Sequence, residues 1–321
     1  MASKGAIGSG SIVTVGLAPA WDIICRGKDL GWGLHKDIDE QIIRPAGKAL
    51  NISRALAWMG QKSTALGLWG QQDYEQMQMA MRSLRGLVRV KMTAVAGRTR
   101  QNVTVVDTAA EREMHLRSKN GLVSAKALRR LRTDLQKIVR KGDVCIFSGA
   151  MPGGALLGEA VRLVRACHGV GGRVVVDTYG PALDRIVRGG LVWLIKPNVE
   201  ELRALLGVRV RDDPVSLAAA RRGLLDKVGL VLIRRGQKGA VLVTRVGAWQ
   251  GRVAGCGKVL STVGCGDYLL AGFIKGLTDG ADMAAALQLA VQVATAHAWG
   301  WTETQGWLPV KRRIRVAVEQ V

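Results

Sequence analysis

No C-x-x-C pair occurs among the five cysteines, Cys25, Cys145, Cys167, Cys256 and Cys265, which are scattered and odd in number. That argues against a structural zinc site and for reduced thiols in a cytoplasmic protein. No apolar signal core is visible in the small, polar stretch from Met1 to Ser11. No long uninterrupted apolar run is present either. The richest, Ala281 to Trp301, contains Asp282, Gln288, Gln292 and His297, and reads as a packed helix rather than a membrane span. Internal repeats, low-complexity tracts and Pro/Ser linkers are all lacking, so the expectation is one α/β domain over 1–321, not two independent domains. Acidic residues are scarce, 25 against 47 Lys plus Arg, for a formal charge of +22.

That charge exceeds what a small anionic substrate requires. The basic residues are dispersed, with local clusters at Arg129-Arg130-Leu131-Arg132, Arg221-Arg222 and Lys311-Arg312-Arg313-Ile314-Arg315. A polyanion partner such as nucleic acid is one reading, a solvated basic surface the other. No basic motif interleaved with aromatics favours the first. A hydrophobic content of 48% supplies a sizeable core.

Short β-branched runs alternate with helical patterns. Strands are predicted at Ile12–Gly16, Ser63–Leu68, Asp143–Ser148, Arg173–Asp177, Val192–Lys196 and Leu230–Arg234, with helices at Lys48–Met59, Asp73–Arg85, Ser124–Arg140, Gly154–Cys167, Asn198–Leu206 and Val215–Lys227. Such alternation implies a mostly parallel sheet covered by helices on both faces, with ligands at the carboxyl ends of its strands. Two stretches, 25–44 and 92–118, break the pattern and are expected to form a small β-sheet lid.

The most informative segment is Ser261-Thr262-Val263-Gly264-Cys265-Gly266-Asp267, followed by the apolar stretch Tyr268 to Leu277. Two glycines bring backbone N–H groups close to a ligand, and a buried helix behind them directs its dipole at negative charge. A carboxylate at that mouth completes the equipment for phosphoryl transfer to a hydroxyl; the plainer reading is Asp267 as a helix cap. Five further segments bear on the same chemistry. Leu17 to Asp22 leaves the first strand and puts a carboxylate at its carboxyl end, able to accept from sugar hydroxyls or simply a surface-loop Asp. Arg44-Pro45-Ala46-Gly47-Lys48-Ala49-Leu50-Asn51 turns into a helix with a cation and an amide in its opening turn. Thr99 to Asn102 offers the Arg100 fork for phosphate. Lys196-Pro197-Asn198-Val199-Glu200-Glu201 has an N-x-x-E spacing that serves either hydrated Mg²⁺ or a capping box. Ile233 to Ala240, with Arg234, Gly236 and Gly239, is a strand–turn–strand suited to a nucleotide or to a bare hairpin.

In order and spacing these segments resemble the ribokinase/phosphofructokinase-B family of carbohydrate kinases. The resemblance runs from Ile12 to about Trp307 and is strongest at Pro45 to Gly60 and Ser261 to Gly276. Leu17 to Asp22, Thr99 to Asn102, Ser148-Gly149-Ala150-Met151-Pro152 and Ser261 to Gly264 look most like the branch acting on sugar phosphates. The resemblance implies a ribokinase-like fold, with Asp267 as catalytic base and Gly264, Cys265 and Gly266 as anion hole. It further implies Asp22, Gly47, Lys48, Asn51, Arg100 and Ser148 at the sugar phosphate. Lys196, Asn198, Arg234, Gly236 and Gly239 would serve ATP, and Glu201 would organise Mg²⁺.

The chain departs from the family pattern in several places. Ala46 and Ala49 replace glycines, Ser261 replaces a frequent Asp and so weakens a monovalent-cation site, and Cys265 replaces an Ala and adds a thiol. The expected activity is ATP-dependent phosphorylation of a phosphorylated ketohexose, with a homodimer formed through the lid. Alternatives are a kinase for an unphosphorylated sugar or nucleoside, and a kinase-fold subunit of a nucleic-acid assembly with a vestigial site. Asp267, beside a helix N-terminus, is expected to be ionised and only weakly basic.

Overall fold

Alternating strand and helix segments assemble into two sheets in the computed structural model, which describes residues 10–321. Most of the polar N-terminal stretch, residues 1–9, and the side chains of Arg221 and Arg222 lie outside the described residues. The strands are β1 (Ile12–Gly16), β2 (Ala20–Gly27), β3 (Glu40–Ala46), β4 (Ser63–Gly70), β5 (Val88–Val95), β6 (Gln101–Asp107) and β7 (Arg112–Arg117). They continue with β8 (Val144–Ser148), β9 (Arg173–Asp177), β10 (Val192–Ile195), β11 (Val228–Arg234), β12 (Ala240–Thr244), β13 (Ala248–Ala254) and β14 (Arg315–Gln320).

Ten strands form the large sheet in the order β14-β13-β12-β11-β10-β9-β8-β1-β4-β5. It is parallel from β11 to β5 and antiparallel from β11 to β14. Continuous apolar runs are what a sheet buried on both faces requires. The period of two divides β8 between the layers: Cys145 and Phe147 enter one core, Val144 and Ile146 the other. The first core packs under the helices Ala125–Ile138, Leu157–Gly169 and Pro181–Arg188. The second packs under Lys48–Trp58, Cys265–Thr278 and Met283–Ala298.

The smaller sheet runs β3-β2-β6-β7. It is mixed, because β2 pairs with β3 antiparallel but with β6 parallel. Its limits differ from the expected 25–44 and 92–118. β2 begins at Ala20, and residues 92–95 belong to β5, which pairs with β4 at the edge of the large sheet. Burial explains the second difference, since Met92 packs with Trp21 and Trp69 in a third apolar cluster.

Two expected helices are shorter. The segment 73–85 yields Tyr74–Ala80 between single 3-10 turns, and the Asp73 carboxylate accepts from the Trp21 indole N–H and the Thr99 backbone N–H instead of capping the helix. The segment 215–227 yields Pro214–Ala219 and a 3-10 turn.

The helix Cys265–Thr278 is held against Met283–Ala298 by two glycines one turn apart. A Cβ on Gly272 would lie 2.8 Å from Ala290 Cα, and one on Gly276 would lie 2.8 Å from Ala286 Cα. Backbone contact this close sets the height of the helix whose first turn carries Asp267. Gly276→Leu is therefore expected to wedge the helices apart, at an overpacking cost of about 1–3 kcal/mol or more. A lowered melting temperature together with reduced turnover checks this; an unchanged melting curve contradicts it.

Candidate active site

Four strand ends of the large sheet and two helix N-termini converge on one cleft beside the small sheet. Gly264 caps the helix Cys265–Thr278 with φ 81°, a left-handed geometry in which a side chain would be strained. The first-turn N–H groups of a helix lack intrahelical partners and carry the positive end of its dipole. Asp267 lies in that turn, buried at 3% exposure, and its Oδ2 accepts a 2.8 Å hydrogen bond from Asn51 Nδ2. Gly47, at φ 115°, opens the helix that presents Lys48 and Asn51 from the other side.

Between them lies a residue the sequence reading missed. Asp177 ends β9, is 2% exposed and holds Lys196 Nζ at 3.0 Å, Lys48 Nζ at 3.5 Å and Ser148 Oγ at 3.0 Å. Its signal was available: Arg173-Val174-Val175-Val176-Asp177 places a carboxylate at the carboxyl end of an apolar strand, where such sheets bind ligands. Burial works to raise the Asp177 pKa, but the two ammonium groups and their hydrogen bonds outweigh it and hold the carboxyl below its ordinary value. Burial likewise works against the Lys48 charge, and the carboxylates of Asp177, Asp267 and Glu201 together raise its pKa.

Asp267 behaves in the opposite way. Burial first, and the Asp177 charge second, push its pKa up to about 7, against the pull of Lys48, Asn51 and Lys196. The expectation of a weakly basic carboxylate is thereby corrected. The helix N-terminus is one favourable influence, and desolvation beside a second carboxylate exceeds it. Cys265 sits in the same turn. Burial pushes its thiol up to about 11, so it stays protonated, and Sγ lies 3.5 Å from the Ser261 carbonyl.

The remaining expected residues divide by side of the cleft. On the lid side, Asp22 Oδ1 accepts from Asn102 Nδ2 at 2.9 Å. Arg100 spends Nε and one Nη2 bond on the main-chain carbonyls of Pro19 and Ala18, at 3.2 and 3.3 Å, which leaves the end of its fork for a ligand. On the other side a cavity of about 500 Å³ is lined by Arg234, Gly236, Gly239, Thr262, Cys265 and Trp299, among others. A Cβ on Gly266 would lie 3.2 Å from Lys196 Nζ and 3.4 Å from Arg234 Cδ, so both cations flank the anion-hole turn. The other two cations of that hairpin, Arg235 and Lys238, are committed to Asp212.

Asn198 and Glu201 form the capping box. Asn198 Oδ1 accepts from the Glu201 N–H at 2.7 Å and Glu201 Oε2 from the Asn198 N–H at 2.9 Å. The same Glu201 carboxylate acts electrostatically on Lys48, so the cap also faces the cleft.

Residues 11–298 match the pfkB family carbohydrate kinases, and the chain belongs to that family, in which ATP is the co-substrate. It is similar to a 1-phosphofructokinase of Haemophilus influenzae, at 29% identity over 88% of this chain and 90% of the relative. A 1-phosphofructokinase of Rhodobacter capsulatus is 30% identical over 77% of this chain and 78% of its own length. A tagatose-6-phosphate kinase of Staphylococcus epidermidis is 24% identical over 83% and 85%. The ribokinase-like fold is shared with phosphofructokinase-2 from Escherichia coli, with TM-score 0.86 at 24% identity, covering 95% of this chain and 97% of that one. It is shared also with a possible 1-phosphofructokinase from Thermotoga maritima, with TM-score 0.80 at 25% identity over 97% and 99%. No helix among the described residues is long and apolar enough to cross a membrane.

With the Asp267 pKa near 7, kcat/KM for the acceptor is expected to rise with pH and level off above about 7, because the base acts only when ionised. The raised value means that folding favours the protonated form. The associated stability is full below the unfolded pKa and is lost as pH climbs through the folded one. Asp267→Asn removes this loss. It should abolish most turnover yet raise the melting temperature by about several degrees at pH 8, with a smaller gain at pH 5. Near-normal turnover, or an equal thermal shift at both pH values, contradicts the assignment.

Proposed function

We propose that the protein is an ATP-dependent kinase for a ketohexose phosphate, of the 1-phosphofructokinase type. The observation that carries this reading is Asp267, buried at the mouth of a phosphate-facing helix, between a nucleotide-sized cavity and a lid that carries Asp22 and Asn102 with Arg100 at its base. The 1-phosphofructokinase relatives named above support the substrate class.

Sugar hydroxyls meet Asp22 and Asn51, and the substrate phosphate meets Lys48 and the free end of the Arg100 fork. Gly47 lets the chain turn tightly into the helix of Lys48 and Asn51, because a Cβ there would lie 3.2 Å from Pro19 Cα. Asp267 accepts the proton of the attacking hydroxyl as its oxygen bonds to phosphorus and the bond from phosphorus to the leaving oxygen of ADP breaks. A carboxylate near pKa 7 is suited to hold that proton until release. The Gly264–Gly266 amides, Lys196 and Arg234 neutralise the phosphoryl oxygens in transit. Ser148 keeps its place through Asp177, as a support of the lysine pair.

Glu201, which faces the cleft from its capping box, fits an outer-sphere role toward hydrated Mg²⁺. Among the described residues no group of three or more His, Cys, Asp or Glu is disposed to hold a metal, so the ion would be carried by nucleotide phosphates and water, with Glu201 ordering that water. Mg²⁺ would supply charge neutralisation on the phosphates.

The test is ATP consumption across fructose 1-phosphate, fructose 6-phosphate, tagatose 6-phosphate, free hexoses, ribose and nucleosides. Turnover confined to a sugar phosphate is expected. Turnover on unphosphorylated acceptors alone would move the protein to another branch. Salt-sensitive RNA binding without turnover would point instead to the polyanion partner that the +22 charge suits. In the same assay Arg100→Ala should raise KM for the sugar phosphate by about one power of ten and leave KM for ATP nearly unmoved. An unaltered sugar-phosphate KM would remove Arg100 from the phosphate.

The lid further supports a homodimer. Register aligns Ile43, Ile23, Val103 and Leu116 in one row across it, and Cys25, Val105 and Met114 in the next row on the same face. Ile43, Met114 and Leu116 are exposed, while Asp22 and Asn102 occupy the opposite face. Leu116→Glu should convert a dimer to a monomer in sedimentation equilibrium; a parental protein that is already monomeric rules the dimer out.

A further inference from the structure

His297, near the end of the helix Met283–Ala298, has no part in the chemistry described so far, yet three elements of the anion-hole region meet on its ring. Its Nε2 lies 3.0 Å from the Val263 carbonyl oxygen, and its Nδ1 3.0 Å from Thr302 Oγ1. The ring stacks on Tyr268, centroids 3.8 Å apart and planes within 6°. A Cβ on Gly264 would lie 3.0 Å from Nε2, so the imidazole edge also packs against the glycine that starts the anion hole.

The hydrogen-bond roles follow from the partners. A carbonyl oxygen only accepts, so Nε2 carries a proton whatever the charge of the ring. The Thr302 hydroxyl adapts to Nδ1, donating to the neutral ring or accepting from the charged one. The N–H directed at Val263 is therefore permanent.

The consequence lies in the next peptide unit. In a planar trans peptide the Val263 C=O and the Gly264 N–H point in opposite directions. Fixing the carbonyl toward His297 fixes that N–H away from it. A peptide free to rotate here would at times present an oxygen to the phosphoryl group in place of a proton donor. Glycine at Gly264 makes such rotation easy, and Val263, 51% exposed, is not anchored by packing.

We propose that His297 is a positioning residue: its Nε2–H pins the Val263 carbonyl, so that the turn from Gly264 to Gly266 keeps its N–H groups on the transferred phosphoryl group. The assignment rests on the kinase reading above. It differs from a plain packing role in its dependence on a donor at one ring atom.

Two variants separate the donor from the stack. His297→Phe keeps a ring against Tyr268 and removes the donor, whereas His297→Gln removes the ring and keeps an N–H at comparable reach. The Phe variant should lose roughly 10- to 100-fold in kcat, less than or equal to the ~10²–10³ cost of deleting an oxyanion donor outright, with KM for the sugar phosphate within about twofold. The Gln variant should recover most of that kcat even if its melting temperature is the lower of the two. A Phe variant with parental kcat overturns the proposal, as does a Gln variant as slow as the Phe variant. A parental protein with no phosphoryl transfer to any acceptor removes the kinase reading itself, and is recognised before either variant is compared.

Discussion

One carboxylate, Asp177, organises the charges of the cleft. It draws Lys48 from the helix after the lid and Lys196 from the end of β10 to a single point beneath the anion-hole turn. The Lys196 ammonium is buried and is tolerable only beside a compensating charge, which Asp177 supplies. The same charge acts on Asp267, whose proton it helps to retain. Two carboxylates in similar burial thus take opposite characters. Asp177, with two cations in contact, is held as an anion; Asp267, whose side-chain donor is the Asn51 amide, is a carboxyl poised near neutrality. The division follows the general rule that paired titratable groups with diverging environments mark acid and base roles.

The lid works by the same separation of surfaces, carried out by the strand period of two. Successive residues of β2 alternate between Asp22, which meets Asn102, and Ile23, which lies in register with Ile43 and Val103. The Asp22–Asn102 pair and the Ile23 row thus lie on opposite faces, and a one-residue slip in register would exchange them.

Much of the fold was legible because it depends on local pattern. β1 and β9 match their predicted limits, and the helix beginning at Lys48 follows from apolar Ile52, Leu56 and Met59 with a glycine stop. The motif residues also come together as expected: Asp267, Asn51, Lys48 and Lys196 share one cleft. What escaped depends on distant partners. Nothing near Asp73 announces that its carboxylate will leave its own helix for Trp21. Nothing near Arg315 announces a strand that will pair with β13. The basicity of Asp267 arises from Asp177, far away along the chain, and from burial, so the local helix-dipole argument reached the wrong sign. His297 was visible only as a polar residue that made a membrane span improbable.

The lid is joined to the large sheet with little slack. β1 passes into β2 through the short stretch 17–19, and β3 ends at Ala46, after which only Gly47 intervenes before the helix of Lys48 and Asn51. Gly47 sits at φ 115°, and a Cβ there would lie 3.2 Å from Pro19 Cα, so this joint needs a glycine. A lid that swung to admit a substrate would therefore pull on the N-terminal turn that holds Lys48 against Asp177 and Asn51 against Asp267.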